Sequence, residues 1–158
     1  MYIEIERRFL VNKLPKNIIK TIDIKQYYIS INPKMVQRLR FFNDDKAIIS
    51  FKERSSSITK HEFEYEIPLL DAKKLISFIP APSVTKKRHY IKFDSMNWEV
   101  DEFLDKNKGL IVGEIELIKE DEKIKIPEWA VYEISKEQKY SNFNLSLNPF
   151  TSWEDNNE

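Results

Sequence analysis

Apolar and charged residues alternate along most of this chain with a period of two, the pattern of strands whose successive side chains point to opposite faces. The alternation recurs over residues 2–11, 24–31, 35–42, 47–54, 60–68, 83–93, 98–104 and 110–119, separated by short clusters of Asn, Asp, Ser, Lys and Pro. The links Asn43-Asp44-Asp45-Lys46 and Asp94-Ser95-Met96-Asn97 have the composition of hairpin turns. Two stretches break the period. Residues 14–23 place Pro15 in a first helical turn and Leu14, Ile18, Ile19 and Ile22 at helical spacing, which predicts a helix. Residues 71–78 read as a second helix with Asp71 as its N-cap. Beyond Lys119 the pattern is irregular, with Pro127, Trp129 and a short helix predicted over 140–147.

Eight strands with mostly short links predict an α+β fold that is mainly β. The expected form is an eight-stranded antiparallel closed β-barrel with a few peripheral helices, because closure removes exposed strand edges. No repeat or linker divides the chain, so one domain is expected over residues 1–150, followed by a polar tail over 151–158.

The charges keep phase from strand to strand. Glu4, Glu6 and Arg8 share one face while Ile3, Ile5 and Phe9 take the other. Arg38 and Arg40 alternate with Leu39 and Phe41, Lys52 and Arg54 with Phe51, and Glu62, Glu64 and Glu66 with Phe63, Tyr65 and Ile67. Lys86 with Arg88, Glu99 with Asp101, and Glu114 with Glu116 continue the series. A solvated sheet face mixes Ser, Thr, Gln and Lys, whereas here nearly every such position is fully charged and strands are acidic or basic by turns. Charges turned into a barrel persist only where opposite signs pair or a ligand completes them, which suits a metal-bound polyphosphate. Arg and Lys clamp phosphate oxygens, and clustered carboxylates hold hard cations such as Mg2+ or Mn2+.

Composition narrows the rest. Charged residues make up 33% of the 158, yet Lys plus Arg total 26 and Asp plus Glu total 26, so no net field draws the chain to nucleic acid or an anionic membrane. The absence of Cys excludes disulfides, thiolate metal sites and a Cys nucleophile. No targeting segment or membrane span is visible, and a cytoplasmic protein is expected.

The opening Glu4-Ile5-Glu6-Arg7-Arg8-Phe9-Leu10-Val11 resembles the ExExK signature of the CYTH superfamily, the triphosphate tunnel metalloenzymes. The resemblance to the short prokaryotic members continues in order through QYYI from Gln26, RLR from Arg38, Lys52, EFEYEIP from Glu62 and KKRHYI from Lys86. It runs on through WEVDEF from Trp98, GLIVGEIEL from Gly109 and KYSN from Lys139, covering about residues 1–147. The resemblance implies an eight-stranded tunnel in which Arg8, Arg38, Arg40, Lys52, Lys86 and Arg88 bind a triphosphate. It likewise implies that Glu4, Glu6, Glu62, Glu64, Asp101, Glu114 and Glu116 form the acidic set for divalent metal, and that Tyr28 works with Lys86 as an acid/base pair. The implied activity is metal-dependent hydrolysis, with inorganic triphosphate as first-choice substrate. Thiamine triphosphate, a nucleoside triphosphate, adenylyl cyclisation and non-catalytic binding of triphosphate or polyphosphate stay open, as does a homodimer.

Three positions depart from the family pattern: Arg8 replaces the signature Lys, Tyr27 stands where many relatives have Gly, and Lys60 stands where an Arg often precedes the acidic strand. The helix usual before the PEW segment is shortened in residues 120–127. His61 and His89 fall opposite the charged face and are expected to be surface or packing residues, Trp98, Trp129 and Trp153 are expected to be structural, and Ser55, Ser56 and Ser57 read as a loop at the tunnel mouth.

Overall fold

A computed structural model describes residues 2–153, so the end of the predicted polar tail, residues 154–158, lies outside the described residues. The strands are β1 (Ile3–Val11), β2 (Ile18–Ile31), β3 (Met35–Phe42), β4 (Lys46–Glu53), β5 (Thr59–Ile67), β6 (Ser83–Phe93), β7 (Met96–Phe103), β8 (Ile111–Glu116) and β9 (Ala130–Glu133). Helices α1 (Leu69–Phe78) and α2 (Asn142–Leu147) lie after β5 and near the C-terminus. The strands run in the order β5-β4-β3-β2-β6-β7-β8-β1, and pairing of β1 with β5 closes an eight-stranded antiparallel barrel. One edge of β1 is shared: Ile3, Glu4 and Ile5 pair with β5, whereas Phe9, Leu10 and Val11 pair with the extra strand β9.

Residues 14–23 are not a helix. From Ile18 onward they belong to β2, which pairs with β6 from Ile18↔Ile91 to Tyr27↔Ser83. An irregularity between Ile18 and Lys20 puts Ile18, opposite Ile91, and Ile22, opposite Arg88, in different rows of the sheet, so the period of two is interrupted there. β-Branched residues favour the pleated surface, and the long β6 supplies the partner. Helix α1 begins directly after Pro68, and Asp71 sits in its first turn as a favourable charge at the positive helix end instead of capping it. Strand β8 ends at Glu116, short of the predicted Lys119, and the four-residue β9 had no alternation long enough to announce it.

The turn residues explain the hairpins. Phe93 pairs with Met96 across Asp94 and Ser95, both at positive φ (52° and 63°), the two-residue turn whose twist matches the strands. Asn43 and Asp44 likewise have positive φ, and the Asp45 N–H donates to the Phe42 carbonyl.

The apolar cores flank the barrel wall or close one end of it. Phe9, Ile91, Trp98, Val100 and Ile115 pack on the outside beneath Trp129. Gly113 makes room there: a Cβ would lie 3.2 Å from the side chains of both Trp129 and Val11, which would have to shift. Leu39, Phe41 and Ala47 pack against Ala72 of α1. A third cluster joins Tyr28, Val36, Val84, Phe103 and Val112 to Tyr140, Leu145 and Trp153. These barrel residues are two positions from the inward charges (Val36 from Arg38, Val84 from Lys86, Val112 from Glu114), so the ionic lining gives way to an apolar end covered by the C-terminal segment.

Candidate active site

Strand phase delivers the inward side chains, and register decides which of them meet. Across the wall, Arg8 faces Glu114, Glu6 faces Glu116, Lys52 faces Glu62, Gln26 faces Arg40 and Arg88 faces Asp101. Lys86 and Asp101 are wholly buried, and Arg38, Arg40, Arg88 and Glu114 nearly so.

On the basic side, Arg88 grips Asp101 with both arms of its fork, Nε to Oδ1 at 2.8 Å and Nη2 to Oδ2 at 3.0 Å, and reaches Glu114 at 3.3 Å. Lys86 Nζ lies 2.7 Å from Asp101 Oδ2 and donates to Asn142 Oδ1 at 3.0 Å. Burial raises the Asp101 carboxyl, but Arg88 and Lys86 outweigh it and hold the group far below the usual carboxylate range. Arg88 already neutralises this carboxylate, so Lys86 is the surplus cation. Burial, reinforced by Arg88 and Arg40 and opposed by Asp101, lowers Lys86 to about 7. Arg8 donates from Nε to Glu114 at 2.9 Å and from Nη1 to the Tyr140 carbonyl at 2.9 Å.

On the acidic side, Lys52 sits 3.0 Å from Glu4 and 3.9 Å from Glu62, and Arg38 lies 3.5 Å from Glu62 and 3.7 Å from Glu64. These bases do not satisfy every acid. Burial, then Glu114 and Glu4, push Glu6 well above the ordinary carboxylate value. Burial, then Glu4, Glu62 and Glu64, raise Glu116. Like charges facing each other across strands, as Glu6 and Glu116 do, repel unless a cation lies between them. The donor set is all oxygen, which fits a hard divalent cation. Among the described residues no three acids are already drawn together around one point, so the carboxylates of Glu4, Glu6, Glu62, Glu64 and Glu116 would have to close on such a cation.

A cavity of about 140 Å3 reaches from Glu6 and Glu114 to the C-terminal segment, lined also by Arg8, Tyr28, Arg38 and Lys52 among others. Two guanidinium groups in its wall are incompletely satisfied: the buried Arg8 Nη2 and Arg38 Nε have no hydrogen-bond partner among the described residues. Buried donors without acceptors are costly, and an anion with several oxygens would answer both.

Strand phase places the predicted bases and acids in the same rows, but their situations differ: Glu6, Arg8, Arg38, Lys52 and Glu114 line the cavity, whereas Glu64 and Glu116 are exposed. Asp101 spends both oxygens on Arg88 and Lys86, which makes it a counter-ion for the bases, while Glu114 is divided between Arg8 and Arg88. Tyr28 and Lys86 are not hydrogen-bonded to each other: the tyrosine oxygen receives the Gln26 amide at 2.7 Å, and Lys86 is held by Asp101 and Asn142. Lys60 lines the cavity, and burial, then Lys52, lower its pKa. His61 is exposed beside Glu53, and His89 is buried off the tunnel between Thr21 and Glu102, in keeping with their phase. Sequence reading missed Gln26, which is fully buried in the tunnel row. Its one signal was position, in phase with Ile22, Ile24 and Tyr28 on β2.

Fold and lining together define a tunnel protein, a closed antiparallel barrel with an ionic interior and one apolar end. The model of the CYTH domain matches residues 2–146, and the chain belongs to the CYTH family. It is 36% identical over 154 residues to an inorganic triphosphatase of Acetivibrio thermocellus, covering 96% of this chain and 98% of that one. An inorganic triphosphatase of Nitrosomonas europaea is 24% identical over 147 residues, covering 91% and 97%. Among solved structures, the inorganic triphosphatase NE1496 superposes with a TM-score of 0.68 at 25% identity, covering 91% of this chain and 94% of that one. The PH1012 protein of Pyrococcus horikoshii shares the fold with a TM-score of 0.57 at 18% identity, covering 75% and 81%.

Proposed function

We propose that this chain hydrolyses a triphosphate, inorganic triphosphate first, with a divalent cation, Mg2+ or Mn2+, held by the acidic side of the tunnel. The observation that carries this reading is the pair of buried, unpartnered guanidinium donors, Arg8 Nη2 and Arg38 Nε, in a cavity flanked by crowded carboxylates. The relatives named inorganic triphosphatase support it.

In this reading Arg8, Arg38, Arg40, Lys52, Lys86 and Arg88 bind and orient the polyanion, neutralising the charge that develops on its oxygens. Glu4, Glu6, Glu62, Glu64 and Glu116 hold the metal, with Glu114 at the border, and Asp101 fixes Arg88 and Lys86. A bound divalent cation supplies charge neutralisation on phosphate oxygens and activation of water. Water attacks the terminal phosphorus, an oxygen–phosphorus bond forms, and the bond to the departing pyrophosphate breaks. Lys86, with its pKa lowered by burial to about 7, is divided between charged and neutral forms at pH 7 and in its neutral form can take up a proton, and Tyr28 hydrogen-bonds the bound phosphate. The apolar end closes one side of the cavity.

The test is phosphate release from inorganic triphosphate, ATP and thiamine triphosphate with Mg2+, Mn2+ or EDTA, with cyclic AMP assayed alongside. Metal-dependent release from inorganic triphosphate, abolished by Glu6→Gln, is the expected result. Tight binding without turnover of any substrate would refute hydrolysis and leave a triphosphate-binding module.

A further inference from the structure

We infer that Gln26 is a positioning residue that turns the Tyr28 hydroxyl proton into the tunnel, toward a phosphate oxygen of the substrate. The inference rests on the triphosphatase reading and extends it. It follows from the donor and acceptor inventory of three buried side chains. A guanidinium can only donate, so the Gln26 atom 2.8 Å from Arg40 Nε must be the amide oxygen. That fixes the other end of the amide. The Gln26 nitrogen, 2.7 Å from the Tyr28 oxygen, can only donate, so the phenol oxygen must accept and its own proton must point elsewhere. Tyr28 lines the cavity, and its hydroxyl has no other hydrogen-bond partner among the described residues. Gln26 itself is completely buried, so water cannot reach it to offer the amide an alternative orientation. The chain Arg40 to Gln26 to Tyr28 therefore runs in one direction and presents a hydroxyl donor to whatever fills the tunnel.

Gln26→Glu tests this. An ionised carboxylate still accepts from Arg40 but also accepts from Tyr28, which draws the phenol proton away from the substrate. A double-mutant cycle with Tyr28→Phe separates this effect from simple charge repulsion, which acts in both backgrounds. With Tyr28 present, Gln26→Glu is expected to lower kcat for triphosphate about 10-fold more than it does in Tyr28→Phe, and this excess persists as pH falls because Arg40 keeps the introduced carboxylate ionised. Calorimetric binding of inorganic triphosphate in EDTA runs the same cycle without turnover, so Gln26 is judged even if the chain proves unable to hydrolyse. There the excess is expected to be roughly 3-fold or more in Kd. Equal effects of Gln26→Glu in the two backgrounds, in binding and in kcat, would overturn the assignment. Absent phosphate release by the wild type, with the binding excess present, would instead sink the hydrolase reading alone.

Discussion

Arg88 and Asp101 form a closed fork, two nearly parallel hydrogen bonds of 2.8 and 3.0 Å in the tunnel wall, and this pair consumes the charge that Lys86 would otherwise need. Lys86 is left as a buried cation beside two others, Arg88 and Arg40, and its pKa falls from 10.5 to about 7. The sign of the linkage follows. Below pH 7 the lysine is charged in both folded and unfolded chains, and the folded state carries the full cost of that charge. Between about 7 and 10.5 the unfolded chain binds more protons, so this group's contribution to stability improves as pH rises. Lys86→Met should therefore raise the melting temperature at pH 6, by roughly 5 °C, and the gain should shrink toward pH 9. Calorimetric melts of both proteins across that range check it, and a gain that grows with pH would contradict the assignment.

Asp101 behaves oppositely. Removing its charge leaves Arg88 and Lys86 facing each other in a dry site, and breaking a buried pair by deleting one partner costs about 3 to 5 kcal/mol. Asp101→Asn should lose stability on that scale in urea unfolding. Glu64→Gln, whose side chain is 45% exposed and 3.7 Å from its base, should change stability little.

The fold and the site were legible in the sequence to different depths. The period of two reported the face of each residue, so the rows through Glu6, Arg38, Glu62, Arg88 and Glu114 emerged before any coordinates. It could not report partners, because those depend on register between strands. Asp101 was thus grouped with the acids for metal, although alignment of β6 and β7 sets it against Arg88. Residues 14–23 read as a helix because an irregularity between Ile18 and Lys20 interrupts the period of two, and only pairing with β6 reveals the strand. Gln26 carries no charge, so only its phase with Ile22, Ile24 and Tyr28 marked it.

Metal should act first on the acids. Glu6 is crowded by Glu114 and Glu4 and faces Glu116 across the strand pair, a repulsion that bases relieve only in part. Mg2+ or Mn2+ added without substrate should raise the melting temperature of the wild type in proportion to the logarithm of its concentration above Kd. Glu6→Gln should melt higher than wild type in EDTA and gain much less from either cation. Thermal melts with and without metal check both halves. A variant that keeps the full metal-dependent gain would remove Glu6 from the binding set.

Arg8 occupies the signature position with a wider group than lysine, and its environment uses that width. Nε serves Glu114, Nη1 ties β1 to the Tyr140 carbonyl in the C-terminal segment, and Nη2 remains for the substrate. A lysine at this position has a single ammonium and cannot span Glu114, the Tyr140 carbonyl and a phosphate oxygen in one geometry. Arg8→Lys should keep the charge and most of kcat while raising KM for triphosphate by about 3- to 10-fold, the scale of one charge-assisted hydrogen bond. The lost tether has its own signature. Amide hydrogen exchange in residues 138–145 should quicken in Arg8→Lys and stay unchanged in Lys52→Ala, which removes a cavity base whose ion pairs are with Glu4 and Glu62. If KM rises with exchange unaltered, Arg8 acts on the phosphate alone and its bond to Tyr140 is incidental.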